Sequence, residues 1–328
     1  MRSFMTRMAF AASSKPDNPT KTHTKERNTM SKALSILSNL EAVIGMPLKA
    51  LRASRLPITT RRRVMAISLE EAYERIFPFF PAIKQYSSST KLASALLSQN
   101  FKLEKIGTQE EKAIGLALSP HKTAGHWLNE PVNFCVGASK DCIKACLNGS
   151  GHNVLEYNEQ IKICRSVALL ADPEAFLRLL VYAIDKLDPK TFIRLNVLSD
   201  IPFELVAPWL FEMYSGNDCG LDFSSARRPM RRFYDYTKVF GRNPPGNYHL
   251  VHSFSGYNAA LCKEVMANGG SVAVVGIRER PARFWNYQTV DGDAHDIRPI
   301  DKPNSIVWLK LKSTPNNKDL IDSPFFNN

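Results

Sequence analysis

Ser271-Val-Ala-Val-Val-Gly-Ile277 carries no charge and is rich in β-branched residues, with Asn268-Gly269-Gly270 before it and Arg278-Glu279-Arg280 after it. A short apolar run between turn signals predicts a strand covered on both faces, as in a parallel sheet sandwiched by other layers. The flanking sequence keeps the same rhythm. Tyr257 to Ala267 has helical spacing and ends at the Asn-Gly-Gly stop. Before it, Tyr248 to Phe254 reads as a strand closed by Ser255-Gly256, and Arg232 to Val239 as another. Phe203 to Tyr214 reads as helix, and Phe192 to Leu198 as a strand running into Ser199-Asp200. Downstream, Asp291 to Asp296 is a tight polar loop and Ser305 to Leu311 a last strand. This alternation predicts an α/β fold with a mostly parallel sheet, a complete or partial β/α barrel. The chain has no G-x-G-x-x-G and no Walker loop, which argues against an open nucleotide-binding sheet.

Upstream of the sheet, two helices are expected, Leu155 to Leu170 and another to about Leu187. Asp172-Pro173 supplies an N-cap and a first-turn proline for the second. A short helix is expected within 68–86, ended by Pro78 and Pro81. Ser87 to Thr90 is a loop and a candidate boundary, Lys91 to Leu103 a helix, and Ile114 to Leu118 a strand. The expected division is a disordered or extraneous segment 1–30, with Met30 as an alternative start, then a basic helical region 31–89, an α/β core 90–312, and a tail 313–328.

Charge separates these regions. Of 43 Lys+Arg and 31 Asp+Glu, residues 1–66 hold 13 basic and 3 acidic, so the body beyond is nearly neutral. A nucleic-acid groove across the whole body is therefore not expected, whereas Arg61-Arg62-Arg63 suits phosphate or an acidic surface. No apolar run is long enough to cross a membrane, and a cytoplasmic location is expected, that of the host if the chain is phage-encoded.

Three of the six cysteines stand within twelve residues, Cys135-Val-Gly-Ala-Ser-Lys-Asp-Cys142-Ile-Lys-Ala-Cys146, followed by Leu-Asn-Gly-Ser-Gly151. Clustered thiols without signs of export read as metal or redox ligands before disulfides. Three thiolates leave one position of a tetrahedral metal, or one iron of a four-iron cluster, open for chemistry. Cys164, on the apolar side of its helix, reads as a core thiol. Polar residues gather at the expected carboxyl ends of the strands, where parallel α/β sheets bind ligands. Ser199, Asp200, Lys238, Ser253 and Ser255 are the candidate pocket residues. Asp291-Gly-Asp-Ala-His-Asp296 could hold a cation but reads first as a turn. His249 and His252 are predicted to face opposite sides of one strand. No nucleophile elbow or Ser-His-Asp set can be assigned, so an enzymatic role stays undecided.

Cys-x-Gly-Ala-Ser-x-x-Cys-x-x-x-Cys-Leu-Asn-x-x-Gly, with Ile193-Arg-Leu-Asn, Tyr234-Asp-Tyr-Thr-Lys238, Ser253-Phe-Ser-Gly256, Val272-Ala-Val-Val275 and Asp291-Gly-Asp-Ala-His-Asp296, resembles phage and plasmid proteins of the gene product eighty-eight group over about residues 90–312. That resemblance implies a mobile-element protein of unsettled role. A cysteine triplet ahead of β/α units is also similar to radical S-adenosylmethionine enzymes, in which three cysteines hold a four-iron cluster. It implies Cys135, Cys142 and Cys146 as ligands. The spacing here is not their C-x3-C-x2-C, and Ala145 stands where an aromatic residue usually precedes the last cysteine, which argues against S-adenosylmethionine itself. Two functions follow from these residues. One is an iron–sulfur or radical-type enzyme. The other is a zinc-stapled accessory protein of replication or DNA handling, with His126 or His152 as fourth ligand and the basic arm on phosphates.

Overall fold

The computed structural model describes residues 56, 58–98, 112–124, 132–216, 228–312 and 323–327. The segments 1–30 and 31–55, and with them most of the expected basic region, lie outside the described residues.

The sheet carries six parallel strands side by side in chain order. They are β2 (Ala113–Leu116), β3 (Phe192–Arg194), β4 (Arg232–Thr237), β5 (Tyr248–Ser253), β6 (Ser271–Gly276) and β9 (Ile306–Lys310). Beyond β9, β8 (Tyr287–Asp291) adds a further parallel strand. Short antiparallel strands form the two ends, β1 (Leu97–Ser98) on β2 and β7 (Arg283–Phe284) on β8. Those ends do not pair with each other among the described residues, so the mostly parallel sheet is open and the expected barrel is not closed. The sequence reading omitted β7 and β8, which are short and partly exposed and so lack an apolar signal.

Period-two alternation divides the strand residues between two faces. Ile193, Phe233, Tyr248, Val272, Val274, Ile306 and Trp308 face the helices. Here α2 (Leu69–Ile76), α3 (Ser89–Leu96), α5 (Glu156–Ala171) and α6 (Pro173–Asp185) build one large core with β2 to β5. Around β6 and β9, α9 (Ala259–Ala267) contributes Cys262 and Met266. The opposite face carries Tyr234, Tyr236, Val251, Ala273, Val307 and Leu309, against which Ile297 packs. His249 and His252 fall on opposite faces, as alternation requires. Burial lowers the pKa of both, with Arg298 adding to the effect on His249 and Arg242 to that on His252.

The caps follow the expected chemistry. Asp172 accepts the Ala175 N–H at 3.0 Å and Pro173 occupies the first helical position of α6. Ser88 caps α3 and Ser68 caps α2. Ser89 and Thr90, expected in a loop, instead form the first turn of α3, and α2 and α3 share one core, so no boundary falls there. Four boundaries differ from the sequence reading. The helix expected to reach Leu103 ends at Leu96, where the chain turns into β1. The Phe203–Tyr214 helix is two pieces, α7 (Phe203–Val206) and α8 (Pro208–Met213), because Pro208 has no N–H for the ladder and keeps Ala207 out of the helical region. The Phe192–Leu198 strand stops at Arg194, because Asn196 gives its backbone N–H to Asp235 instead of a strand partner. Finally, part of the expected tail returns to the sheet. Phe326–Asn327 (β10) pairs in parallel with Val275 and Gly276, beyond the point where β5 leaves β6.

Candidate functional site

The cysteine loop follows the first parallel strand and lies over the carboxyl ends of the others. Each residue type in Cys135-Val-Gly-Ala-Ser-Lys-Asp-Cys142 has a local task. A Cβ on Gly137 would stand 2.8 Å from Lys238 Cβ and 2.9 Å from its carbonyl oxygen, so only glycine lets the loop approach β4 this closely. Ser139 caps the short helix α4 (Lys140–Lys144), accepting the Cys142 N–H at 3.2 Å, and donates to the Ser255 carbonyl at 3.3 Å. Asp141 accepts hydrogen bonds from Tyr257 at 3.2 Å and from Ser323. On the helical side, Lys162 donates to the Asn148 side chain and to the Asn153 carbonyl, holding the Leu147–Val154 stretch from behind. The loop is therefore fastened to three separate parts of the fold.

Under it lies a cavity of 210 Å³ lined by all three loop cysteines. Ser199, Asp200, Lys238 and Ser253 line it as well, so four of the five pocket residues expected from sequence converge on the cysteines. Ser255 does not line it; its backbone instead accepts from Ser139 and donates to Asn258. An inner lobe of 140 Å³ shares Arg194, Tyr236, Lys238 and Ser253 and reaches Asp296. Apolar walls come from Val275, Leu309 and Phe325. Phe325 and Phe326 also pack on Cys142 and Ala145. Gly256, at φ +87°, leaves room for the Phe325 backbone, which a Cβ would meet at 2.6 Å.

The thiols are free and each has its own partner. Cys135 Sγ donates to the Leu198 carbonyl at 3.3 Å and accepts the His121 N–H at 3.2 Å. Cys142 faces the Lys238 ammonium. Cys146 Sγ accepts the Asn148 N–H at 3.5 Å. Burial pushes the Cys135 thiol up to about 12 and raises Cys146, so both are neutral thiols at pH 7. In this arrangement no three Cys, His, Asp or Glu side chains among the described residues stand together as a set able to hold a metal ion. His126 lies outside the described residues. Cys164 is packed against the helical core, as expected, and burial raises it to about 12.

The cations come from strand ends. Burial pulls the Lys238 ammonium down, but Cys142 and Asp200 outweigh it, so the net shift is upward and the group stays charged. Arg194 is likewise opposed by burial and held up by Asp296, to which it donates at 2.7 Å. Its guanidinium lies 4.6 Å from the centre of the Tyr236 ring. Asp200 is engaged by the protein through both oxygens, accepting from Thr237 at 2.7 Å, the Lys238 N–H at 2.8 Å and Arg242 at 3.3 Å. Ser199 donates to Asn196 at 2.8 Å. Both thus shape the rim as much as they face it. Arg194, Tyr236 and Phe325 were absent from the sequence-derived pocket. A charge alternating with buried aromatics in a covered sheet was the available signal for the first two.

Two further polar stretches have partners within the fold. Asp291 accepts the Asp293 N–H at 2.8 Å, Asp293 accepts the Lys310 N–H at 2.7 Å, and His295 pairs with Asp301 at 3.4 Å. Asp291 to Asp296 is therefore the turn favoured from sequence, with its carboxylates spread among different partners. Arg61-Arg62-Arg63 begins helix α1 (Arg61–Ala66), away from the cavity lining, and Arg63 pairs with Glu174 at 2.9 Å. No helix of the described residues is long and apolar enough to cross a membrane.

A family model described as Gene product 88 matches residues 87–322. The match takes in α3, the cysteine loop and every strand from β1 to β9, and stops short of β10. No curated protein and no solved structure matches the chain.

Proposed function

This chain belongs to the Gene product 88 family, a group of phage-type proteins, and from that premise we propose that its cysteine loop holds an iron–sulfur cluster facing a ligand cavity, as in a radical-type enzyme. The observation that carries the reading is convergence. Cys135, Cys142 and Cys146 come from one loop after the first of six parallel strands in chain order, and they line the same cavity as Lys238 and Arg194 at the carboxyl ends. Three thiolates and no fourth ligand from this run suit a cluster with one open iron better than a closed structural zinc site. Held there by Cys135, Cys142 and Cys146, such a cluster would supply electron-transfer chemistry to a ligand in the cavity.

Loading requires the thiols to turn off their present partners. To serve as ligands, Cys135 would give up its bond to Leu198 and Cys142 its contact with Lys238. As ligands, Cys135 and Cys146 would be held as thiolates against the upward pull of burial. The chain's own groups then have defined tasks. Phe325 and Leu309 give the cavity an apolar wall, Lys238 and Arg194 place positive charge along it, and Gly137 sets the height of the loop over β4.

Anaerobic purification followed by iron and acid-labile sulfide analysis tests the reading, wild type beside Cys142→Ala. About four irons and four sulfides per chain are expected in the wild type, with loss of most of both in the variant. A protein holding neither after reconstitution with iron and sulfide ends this reading. Stoichiometric zinc without sulfide would move it to the stapled accessory protein, with nucleic acid as the ligand to try next.

A further inference from the structure

The buried groups left without partners around the cavity are hydrogen-bond donors. Tyr236 lines both lobes, and its hydroxyl, shielded from bulk solvent, has no partner among the described residues. Arg194 uses one terminal nitrogen on Asp296 at 2.7 Å and the other on the Val197 carbonyl at 3.2 Å, and its Nε–H is buried without an acceptor. Leaving a buried donor unsatisfied is costly, so two of them beside one empty volume mark a place where an acceptor belongs.

Charge points the same way. Arg194, Lys238, Lys310 and Lys312 line the cavity, against Asp200 there, Asp296 in the inner lobe and Asp293, which pairs with Lys312 at 3.0 Å. Asp200 already accepts from Thr237, Lys238 N–H and Arg242, and Asp296 takes Arg194 and the Tyr234 hydroxyl at 3.2 Å. The wall therefore presents more positive charge than its carboxylates cancel. The Ser253 hydroxyl stands on the same wall. Val275, Leu309 and Phe325 supply an apolar surface beside these groups.

We propose that the cavity beneath the cysteine loop binds a small organic anion, its carboxylate or phosphate head held by Lys238, Arg194 and Tyr236 and its apolar stem lying against Val275, Leu309 and Phe325. The proposal names the substrate class of the site proposed above and rests on that cavity being the working site; it does not require the metal. Cys142 release from Lys238 on metal loading would turn the ammonium toward the anion, coupling the two events.

The test is thermal unfolding and titration calorimetry of the full chain, purified without iron, with inorganic phosphate, malonate and neutral glycerol at constant ionic strength. Phosphate or malonate is expected to raise Tm saturably while glycerol does not, and the stronger of the two identifies the head group. Lys238→Met keeps the methylene stem under Gly137, and Tyr236→Phe keeps the ring against Arg194. Each is expected to weaken the anion at least tenfold. An equal rise of Tm in wild type and both variants would mean a bulk ion effect and overturn the proposal, as would the absence of a saturable response to either anion. Should Lys238→Met fail to fold, the Tyr236→Phe titration decides alone. Iron analysis of a reconstituted sample separates the two readings. An anion response in a chain that takes up no iron leaves this inference standing without the cluster, and a loaded chain with no anion response does the reverse.

Discussion

Two buried polar systems lie back to back on β4 and differ in one respect. On the helix-facing side, Asp235 accepts the Asn196 N–H at 2.7 Å, the Asn196 side chain at 3.0 Å and the Tyr248 hydroxyl at 2.6 Å. Tyr248 in turn accepts from Arg242 at 3.1 Å, and Arg242 grips Glu204 with two bonds at 2.7 and 2.6 Å. On the other side, Arg194 and Tyr236 have donors left over beside a cavity. Adjacent positions of the same strand thus serve opposite ends. A closed network costs little to bury and fixes the geometry of the strand ends; an open one is unstable alone and gains by taking a ligand.

The largest expected effect is on the closed side. Arg242→Ala leaves Glu204 and Asp200 as buried carboxylates without their cation, and a loss of about 3–5 kcal/mol is expected in urea unfolding. A loss below 1 kcal/mol would show that water satisfies this side too, and the contrast with the cavity side would fall.

Next in size is a pH effect from the same network. Burial raises the Asp235 carboxyl from 3.8 to about 6, although its hydrogen bonds oppose the shift. The folded state then holds this proton more tightly than the unfolded chain, so the associated stability is present below the unfolded value and lost as pH rises through about 6. The loss amounts to about 3 kcal/mol. Burial lowers His252 to about 4, so it works against this, its stability being lost as pH falls from 6.5 through 4. Comparing wild type with Asp235→Asn at pH 4 and pH 6.5 cancels the histidine. The variant is expected to gain on the wild type by about 2 kcal/mol over that interval, which stops short of the full titration at both ends; parallel curves would place the ionised carboxylate at no cost.

At the loop, Gly137→Ala forces a methyl into Lys238, and a loss of about 1–3 kcal/mol is expected together with poorer iron retention after reconstitution. Unchanged stability would mean that the loop does not press on β4. Smallest is Tyr236→Phe. It removes an unsatisfied hydroxyl from the open side, so the ligand-free protein is expected to be unchanged or more stable by up to about 1 kcal/mol. Clear destabilisation would reveal a partner for that hydroxyl and make the two sides alike.

Much of the framework was legible in the chain. β6 was an uncharged β-branched run, α6 announced itself by Asp172-Pro173, and α9 ended at Asn268-Gly269-Gly270, because each signal acts within a few residues of itself. The cysteine run and four of the five rim residues were legible for the same local reason, since strand ends in parallel sheets are polar where loops begin. The stop at Arg194 was not, because it depends on Asp235, 39 residues from Asn196. Nor was the return of Phe325 and Phe326 to Cys142, since nothing near them in sequence encodes the bare Gly256 surface they meet.

By itself, the sequence determined an α/β chain with a parallel sheet, a cysteine loop and membership of its family, because composition, periodicity and motif order are properties of neighbouring residues. Tertiary structure alone decided that the sheet stays open, that the thiols share a cavity with Lys238 and Arg194, and which buried donors lack partners. Whether a polar group is satisfied depends on what the fold carries to within about 3 Å of it, and no local pattern records that distance.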